Sequence, residues 1–173
     1  MEFYLESTNC LHPSQYGFRP GRCIEDITLQ LTSQINNWGY CAVVYLDLQG
    51  AFDGVWHHGL LCKAARLRFR GNIIRWLQDY LSERTQSVIV HRHTSAPASI
   101  TVGVPQGAAL SPLLFNIMMY DLFSSDHVQS FIFADDRTVA CSGSLLSDVE
   151  LCMQDHLNRL SAWFAMWCFQ ENE

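Results

Sequence analysis

Lysine is almost absent from this chain: Lys63 is the only one among 173 residues, and Lys and Arg together number 11 against 17 Asp and Glu, a formal net charge of -6. Phosphate neutralisation by Lys and Arg supplies most non-specific affinity for nucleic acid. A protein that binds nucleic acid over its whole surface is therefore excluded, and any such contact must come from a local strip. Lys63, Arg66, Arg68, Arg70, Arg75, Arg84 and Arg92 form one candidate, opposed only by Asp79 and Glu83; it reads either as a solvated helix face or as a phosphate-contacting strip. Long apolar runs are missing too. The longest, 113–120, contains Asn116 and falls well short of the ~20 residues of a membrane span. The start, Met1-Glu2-Phe3-Tyr4-Leu5-Glu6, is acidic and fits neither a signal nor a transit peptide. No membrane partner and an intracellular location, nucleus or cytoplasm, are the expectations. The seven cysteines include no CxxC pair, so they are expected to be reduced packing residues. A zinc site drawn from His57, His58, His91 or His93 lacks ligand pairs at the usual spacing. No repeat or Pro/Gly/Ser-rich linker divides the chain, which favours one domain over 1–173.

What is present is a regular alternation of helical and strand patterns. Ile24, Ile27, Leu31, Ile35 and Trp38 recur at helical spacing and read as a core helix ending near Asn37 and Gly39. The run 41–48 is short, apolar and rich in β-formers, a buried strand with Asp47 at its far end. Two helical stretches follow, then a strand pair at 87–91 and 99–104. Pro105-Gln106-Gly107 breaks the second, and Ser111-Pro112 reads as N-cap and first residue of a helix reaching about Phe123. The runs 130–134 and 137–141 read as a hairpin with Asp135 and Asp136 at its tip. A final helix is signalled by Ser147 with Glu150 as a capping box and Leu146 with Leu151 as a staple. This order predicts an α+β fold, a mainly antiparallel sheet with helices packed on one face.

An ionised carboxylate beside an apolar strand is costly to desolvate unless compensated, and a divalent cation compensates it well. Asp47 ends one strand and Asp135-Asp136 occupy a tight hairpin tip. If the strands are neighbours, the three converge. Magnesium suits such a place, because it needs only one or two protein carboxylates and takes its other oxygens from water and phosphates. An Asp-Asp pair at a hairpin tip is by itself usually only a turn; its neighbours in the sequence change that reading.

Gln15-Tyr16-Gly17-Phe18-Arg19-Pro20-Gly21-Arg22, Leu46-Asp47-Leu48-Gln49-Gly50-Ala51-Phe52-Asp53, Gly103-Val104-Pro105-Gln106-Gly107 with Leu110-Ser111-Pro112-Leu113-Leu114-Phe115, Phe131 to Asp136, and Leu160, Trp163 and Trp167 occur in this order over nearly the whole chain. They resemble five blocks of retroelement reverse transcriptases, and the AFD, FADD and GFRPGR forms resemble those of non-LTR retrotransposons. The resemblance implies a palm domain with a partial fingers segment and no thumb, carrying out two-metal nucleotidyl transfer as an RNA-directed DNA polymerase. It implies an RNA template, a DNA primer, deoxynucleoside triphosphates and two magnesium ions, with manganese as a substitute. By similarity Asp47 and Asp135 bind both ions and Asp136 is a less direct third carboxylate. Phe52 matches the aromatic residue under the incoming sugar that rejects a 2′-hydroxyl, a group that template-directed RNA polymerases with the same palm lack. Gln106 matches the glutamine that touches nucleotide or template, Gly107 lets its loop approach the bases, and Arg19 and Arg22 are expected to face the template strand or nearby phosphates.

Two positions depart from the family pattern. Arg137, directly after the aspartate pair, is expected to pair with Asp136 or compete with metal, and Gly54 loosens the turn after Asp53. The resemblance also places the triphosphate-gripping basic residues, the rest of the fingers and the thumb outside this chain, in a longer polyprotein. The expectation is that this stretch alone does not synthesise DNA. A second reading is a catalytically dead remnant that at most binds nucleic acid or packs with a partner.

Overall fold

The computed structural model describes residues 1–172. Its centre is a three-stranded antiparallel sheet of β1 (Tyr40–Leu46), β7 (Asp136–Gly143) and β6 (Gln129–Phe133), in the order β1-β7-β6. β6 and β7 are the two arms of the expected hairpin, in register from Gln129 opposite Ala140 to Phe133 opposite Asp136. β1 pairs along the other side of β7, so that Leu46 stands opposite Arg137. This register sets the chemistry, because the residue that follows Leu46 lies level with the hairpin tip.

Side chains alternate across a strand, and the two faces have different fates. Val139 and Cys141 of β7 pack, with Val44 and Leu46 of β1, against Val149 and Met153 of α6 (Leu146–Met166). Behind the site, α3 (His57–Arg66), α4 (Asn72–Leu81) and α5 (Ser111–Met119) gather with α6 around a core that includes Leu60, Ala64, Leu77, Leu114, Ile117 and Leu160. α5 is apolar nearly all round, as a helix enclosed on every side must be. The opposite face of the sheet, with Tyr45, Phe131, Phe133 and Thr138, is met by α2 (Ile24–Asn37), whose Ile24 and Ile27 border it and whose Gln34 donates to Ala140 O at 3.3 Å and Ser142 Oγ at 3.1 Å. α2 has no buried residue. It is therefore not the core helix its periodicity suggests, and its stripe leaves Ile24, Leu29, Ile35 and Trp38 exposed.

Local signals were redistributed by their surroundings. The capping box forms at α2 instead of α6: the Cys23 N–H donates to Asp26 Oδ2 at 3.0 Å. At α6 the N-cap is Leu145 and no side chain caps it, while the expected staple partners Leu146 and Leu151 are both exposed. Ser111 lies inside α5, with Leu110 as N-cap, and its hydroxyl donates to the Pro105 carbonyl. The strand pair after α4 is two short ladders, β2 (Arg84–Gln86) with β5 (Ala98–Ile100) and β3 (Ile89–Val90) with β4 (His93–Thr94). The short α1 (Glu2–Ser7) precedes α2.

The lone lysine belongs to the core. Lys63 has no exposed surface; its ammonium donates to Met118 O at 2.6 Å and Asp121 Oδ1 at 2.5 Å. It also sits 3.8 Å from the Trp167 ring centroid and 4.2 Å from that of Trp163, a cation held by two aromatic faces. Burial pulls its pKa down to about 8, with Asp121 opposing. Lys63 thus leaves the basic strip and joins α3 to α5 and α6. Among the described residues, no helix is long and apolar enough to cross a membrane.

Candidate carboxylate site and nucleotide cleft

Asp47 follows β1, Asp135 lies in the turn of the hairpin, and Asp136 begins β7. Asp47 and Asp135 line one cleft of about 740 Å³, together with Phe18, Phe52, Gln106, Gly107 and Asn172. Asp136 lines a shallower depression under α2, where Asp47 also appears. Asp47 thus borders both, sharing the cleft with Asp135 and the depression with Asp136. Burial first, then the charges of Asp135 and Asp47, raise the pKa of Asp136. Among the described residues, no group of three or more His, Cys, Asp or Glu side chains is arranged so that it could hold a metal ion. The arrangement is therefore an open pair of carboxylates facing the cleft with a third alongside, a donor set that fits a hard cation completing its shell with water and phosphate oxygens. A larger cleft, about 980 Å³, opens between α2 and α6 and holds none of the marked residues.

The hairpin is held by the first sequence block. Residues 14–16 run beside β6: the Tyr16 N–H donates to Ile132 O at 2.7 Å and the Ile132 N–H to Ser14 O at 2.9 Å. The buried Gln15 side chain accepts from the Gly17 and Ala134 N–H groups at 3.1 and 3.3 Å. A Cβ on Gly17 would stand 2.2 Å from the Ala134 nitrogen, so only glycine permits this approach. The chain next to Asp135 is in this way fixed from outside the sheet.

Of the two arginines of that block expected to face the template strand or nearby phosphates, Arg19 is engaged through Nε, Nη1 and Nη2, and Arg22 through Nη1 alone. Arg19 is 9% exposed; its guanidinium makes a two-pronged pair with Glu6 at 2.8 and 2.6 Å and donates to His12 O at 3.1 Å. This pairing holds the Glu6 carboxyl below its ordinary pKa. Arg22 donates to the carbonyls of Pro13 and Gln15 and lies 5.3 Å from the Tyr16 ring centroid. Donors already paired with carboxylate or carbonyl oxygens are not free for phosphates, which takes up Arg19, while half-buried Arg22 has only Nη1 engaged. Both residues brace the loop that supports the hairpin.

Phe52 lies at the cleft beside the carboxylates. Its ring is backed by Phe115 in a stacked contact of 4.9 Å and met edge-on by Phe18 at 6.2 Å. The opposite wall carries Gln106 and Gly107 and is joined to the turn after Asp47: the Gly103 N–H donates to Val55 O and the Val104 N–H to Phe52 O, each at 2.8 Å. A Cβ on Gly103 would meet the Asp53 backbone at 2.8 Å. Gly107 has φ +81 and open space where a side chain would be, facing the cleft.

Arg137 departs from its expected partner. It is 4% exposed on the α6 side, where it donates to Phe123 O at 3.0 Å and Ser130 Oγ at 3.2 Å, while Nε and Nη1 have no partner. Burial pushes its pKa down to about 9. It does not pair with Asp136, because the strand alternation that turns Asp136 toward α2 turns Arg137 inward. Phe18 and Asn172 also line the cleft, and Asp53 supports it by accepting from Gln106 Nε2 at 2.9 Å; none of the three is among the site residues expected from the sequence. Phe18 and Asp53 lie inside the quoted blocks, which is a usable signal; Asn172 had none.

A carboxylate pair at the end of an antiparallel sheet thus shares one cleft with an aromatic ring and a glycine-containing loop. Residues 1–172 match the family model described as reverse transcriptase (RNA-dependent DNA polymerase). The chain belongs to the reverse transcriptase family. It is 32% identical over 170 residues to the "Probable RNA-directed DNA polymerase from transposon BS" of Drosophila melanogaster, covering 91% of this chain and 19% of that protein. It is 30% identical to the RNA-directed DNA polymerase from mobile element jockey of the same species, covering 92% of this chain and again 19% of the relative. The chain thus spans about a fifth of the length of these relatives, which agree with the non-LTR branch its motifs resemble. Among solved structures, an apo telomerase from Candida tropicalis superposes with a TM-score of 0.62 over 91% of this chain and 34% of that one, at 14% identity, a likeness of fold.

Proposed function

We propose that this chain forms the catalytic palm of an RNA-directed DNA polymerase, in which Asp47 and Asp135 hold two magnesium ions and Asp136 is the third, less direct carboxylate. The observation that carries the reading is the meeting of Asp47 and Asp135, 88 positions apart in sequence, in one cleft with Phe52. In the reaction the 3′-hydroxyl of a DNA primer attacks the α-phosphorus of a deoxynucleoside triphosphate, and pyrophosphate leaves. Bound magnesium, with manganese as a substitute, supplies charge that stabilises the attacking and leaving oxygens.

The protein's own groups do the remaining work. Two carboxylates on a braced hairpin and strand end give fixed ligands, which matters because phosphoryl transfer depends on positioning and charge more than on covalent chemistry. Phe52, fixed from behind by Phe115, offers a rigid ring beneath the sugar and leaves no space for a 2′-hydroxyl. Gln106 faces the base or template from the other wall, and Gly107 lets that loop come close. Arg19 acts through the loop it braces, while Arg22, half-buried and engaged only through Nη1, keeps donors for the template strand or nearby phosphates. The partners are the template and primer strands and the remaining fingers and thumb of a longer polyprotein, acting inside the cell.

The test is a chimaera in which residues 1–172 replace the matching segment of the jockey polymerase, assayed by primer extension on RNA. Extension abolished by Asp47→Ala or Asp135→Ala supports the reading, and extension indifferent to both overturns it. The net charge of -6 favours one second reading, a remnant without catalysis, and a folded but inactive chimaera would support that instead.

A further inference from the structure

We propose that Asn172 is a positioning residue for Asp47, holding the carboxylate in the orientation in which it accepts a divalent cation; the inference rests on the metal-binding role given to Asp47 above. After α6 the chain turns back on itself, with Phe169 N–H donating to Phe164 O at 2.9 Å. Phe169 is buried, parallel to the Trp163 ring at 6.4 Å and edge-on to Phe115 at 6.4 Å. From this anchor the chain runs antiparallel to the turn that follows β1. The Gln49 N–H donates to Gln170 O at 2.9 Å, Leu48 bridges Glu171, and the Asn172 N–H donates to Asp47 O at 3.0 Å.

The backbone on which Asn172 sits is thus fixed to the backbone of Asp47 itself. Its side-chain Nδ2 then donates to Asp47 Oδ2 at 3.0 Å, and Asn172 lines the same cleft as Asp47, Phe52 and Asp135. A carboxylate only accepts, so the amide nitrogen must face it.

An amide has the right chemistry for this task. It is neutral, so it does not compete with a cation for Asp47 as a lysine or arginine would. It uses one lone pair on Oδ2 and leaves Oδ1 and the remaining lone pair open. It also stops the carboxylate from rotating about its terminal torsion, which is otherwise broad. Partners that orient metal-ligating carboxylates typically change metal affinity by about 10–100-fold when removed.

The experiment is a titration of the purified chain with Mn²⁺ followed by electron paramagnetic resonance, using the wild type, Asp47→Ala and the near-isosteric Asn172→Leu, each checked for folding by circular dichroism. It is joined to ¹⁵N NMR of the Asn172 side-chain amide in metal-free chain. The expected result is Mn²⁺ binding that Asp47→Ala removes and Asn172→Leu weakens by about tenfold or more, with the Asn172 amide protons shifting on Asp47→Ala. Asp47-dependent binding at full strength in Asn172→Leu, or amide shifts indifferent to Asp47→Ala, would overturn the positioning role alone. Absent binding in the wild type, or binding unaffected by Asp47→Ala, would overturn the metal reading and the inference with it.

Discussion

Gln106 donates its side-chain amide to Asp53 Oδ2 at 2.9 Å, joining the two walls of the cleft through residues 53 positions apart. With the backbone bonds of Gly103 and Val104 beside it, this contact fixes the glutamine proposed to face the nucleotide. Asp53→Ala is expected to lower kcat/KM for the incoming nucleotide by about tenfold in the chimaeric polymerase, because misplaced binding groups weaken the transition state more than they weaken the fold. Asp53→Asn, which keeps an acceptor, is expected to retain most of the activity. Steady-state primer extension at varied nucleotide concentration checks both.

Phe52 is wedged between Phe115 and Phe18, so it cannot swing aside to admit a larger sugar. Phe52→Val is expected to raise ribonucleotide incorporation by about a hundredfold relative to deoxynucleotides, in line with the 1–3 kcal/mol that a few methylene-sized groups discriminate in a pocket. Competition between the two nucleotide types in primer extension measures this ratio. An unchanged ratio would remove Phe52 from sugar selection.

His12 and His156 are buried, and both have pKa values pushed down to about 4, first by burial and then by the nearby Arg137 charge. His12 Nδ1 accepts from the Ser14 N–H at 3.2 Å, which requires the neutral ring. The unfolded chain takes up these protons near pH 6.5 and the folded chain only near 4. Stability is therefore complete above 6.5 and falls as the pH drops toward 4, by up to about 3 kcal/mol for each ring. Urea unfolding between pH 4 and 8 should show this slope, and His12→Gln should make it shallower.

Arg137 carries two unpartnered nitrogens, Nε and Nη1, inside the core, a costly way to fill space. Arg137→Met, which conserves length and removes the charge, is expected to stabilise the chain by about 1–3 kcal/mol. It should also soften the acid slope, since the charge that disfavours the two imidazolium forms is gone. Chemical denaturation at pH 5 and pH 7 tests both effects.

Asp47 and Asp135 each lie at the end of a short apolar run, which marks them as candidates in the sequence, but whether the two ends meet depends on which strands are neighbours, and that β1 pairs with β7 is visible only in the fold. The role of Arg19 is not legible in the sequence, because its partner Glu6 lies in a different element and only the folded loop brings them within 2.6 Å. Arg137 was misplaced for a related reason: adjacency to Asp136 in the chain suggested a pair, while the alternation of β7 sends the two side chains to opposite faces. The stripe of α2 marked a helix truly but not its burial, since periodicity reveals an apolar face without showing what covers it. Asn172 stayed invisible because its bond to Asp47 depends on the chain returning beside β1 after α6, a tertiary event with no local pattern.

Under the proposed function, Asp47 and Asp135 hold the reactive metal in the cleft they share with Phe52. The most direct measurement is the anomalous diffraction of crystals of the chain soaked with Mn²⁺ and a deoxynucleoside triphosphate. The account predicts a manganese peak at coordination distance, about 2.2 Å, from a carboxylate oxygen of both Asp47 and Asp135, with the triphosphate beside it and the sugar over the Phe52 ring. A peak bound away from these two carboxylates, or a triphosphate lodged in the cleft between α2 and α6, would contradict it.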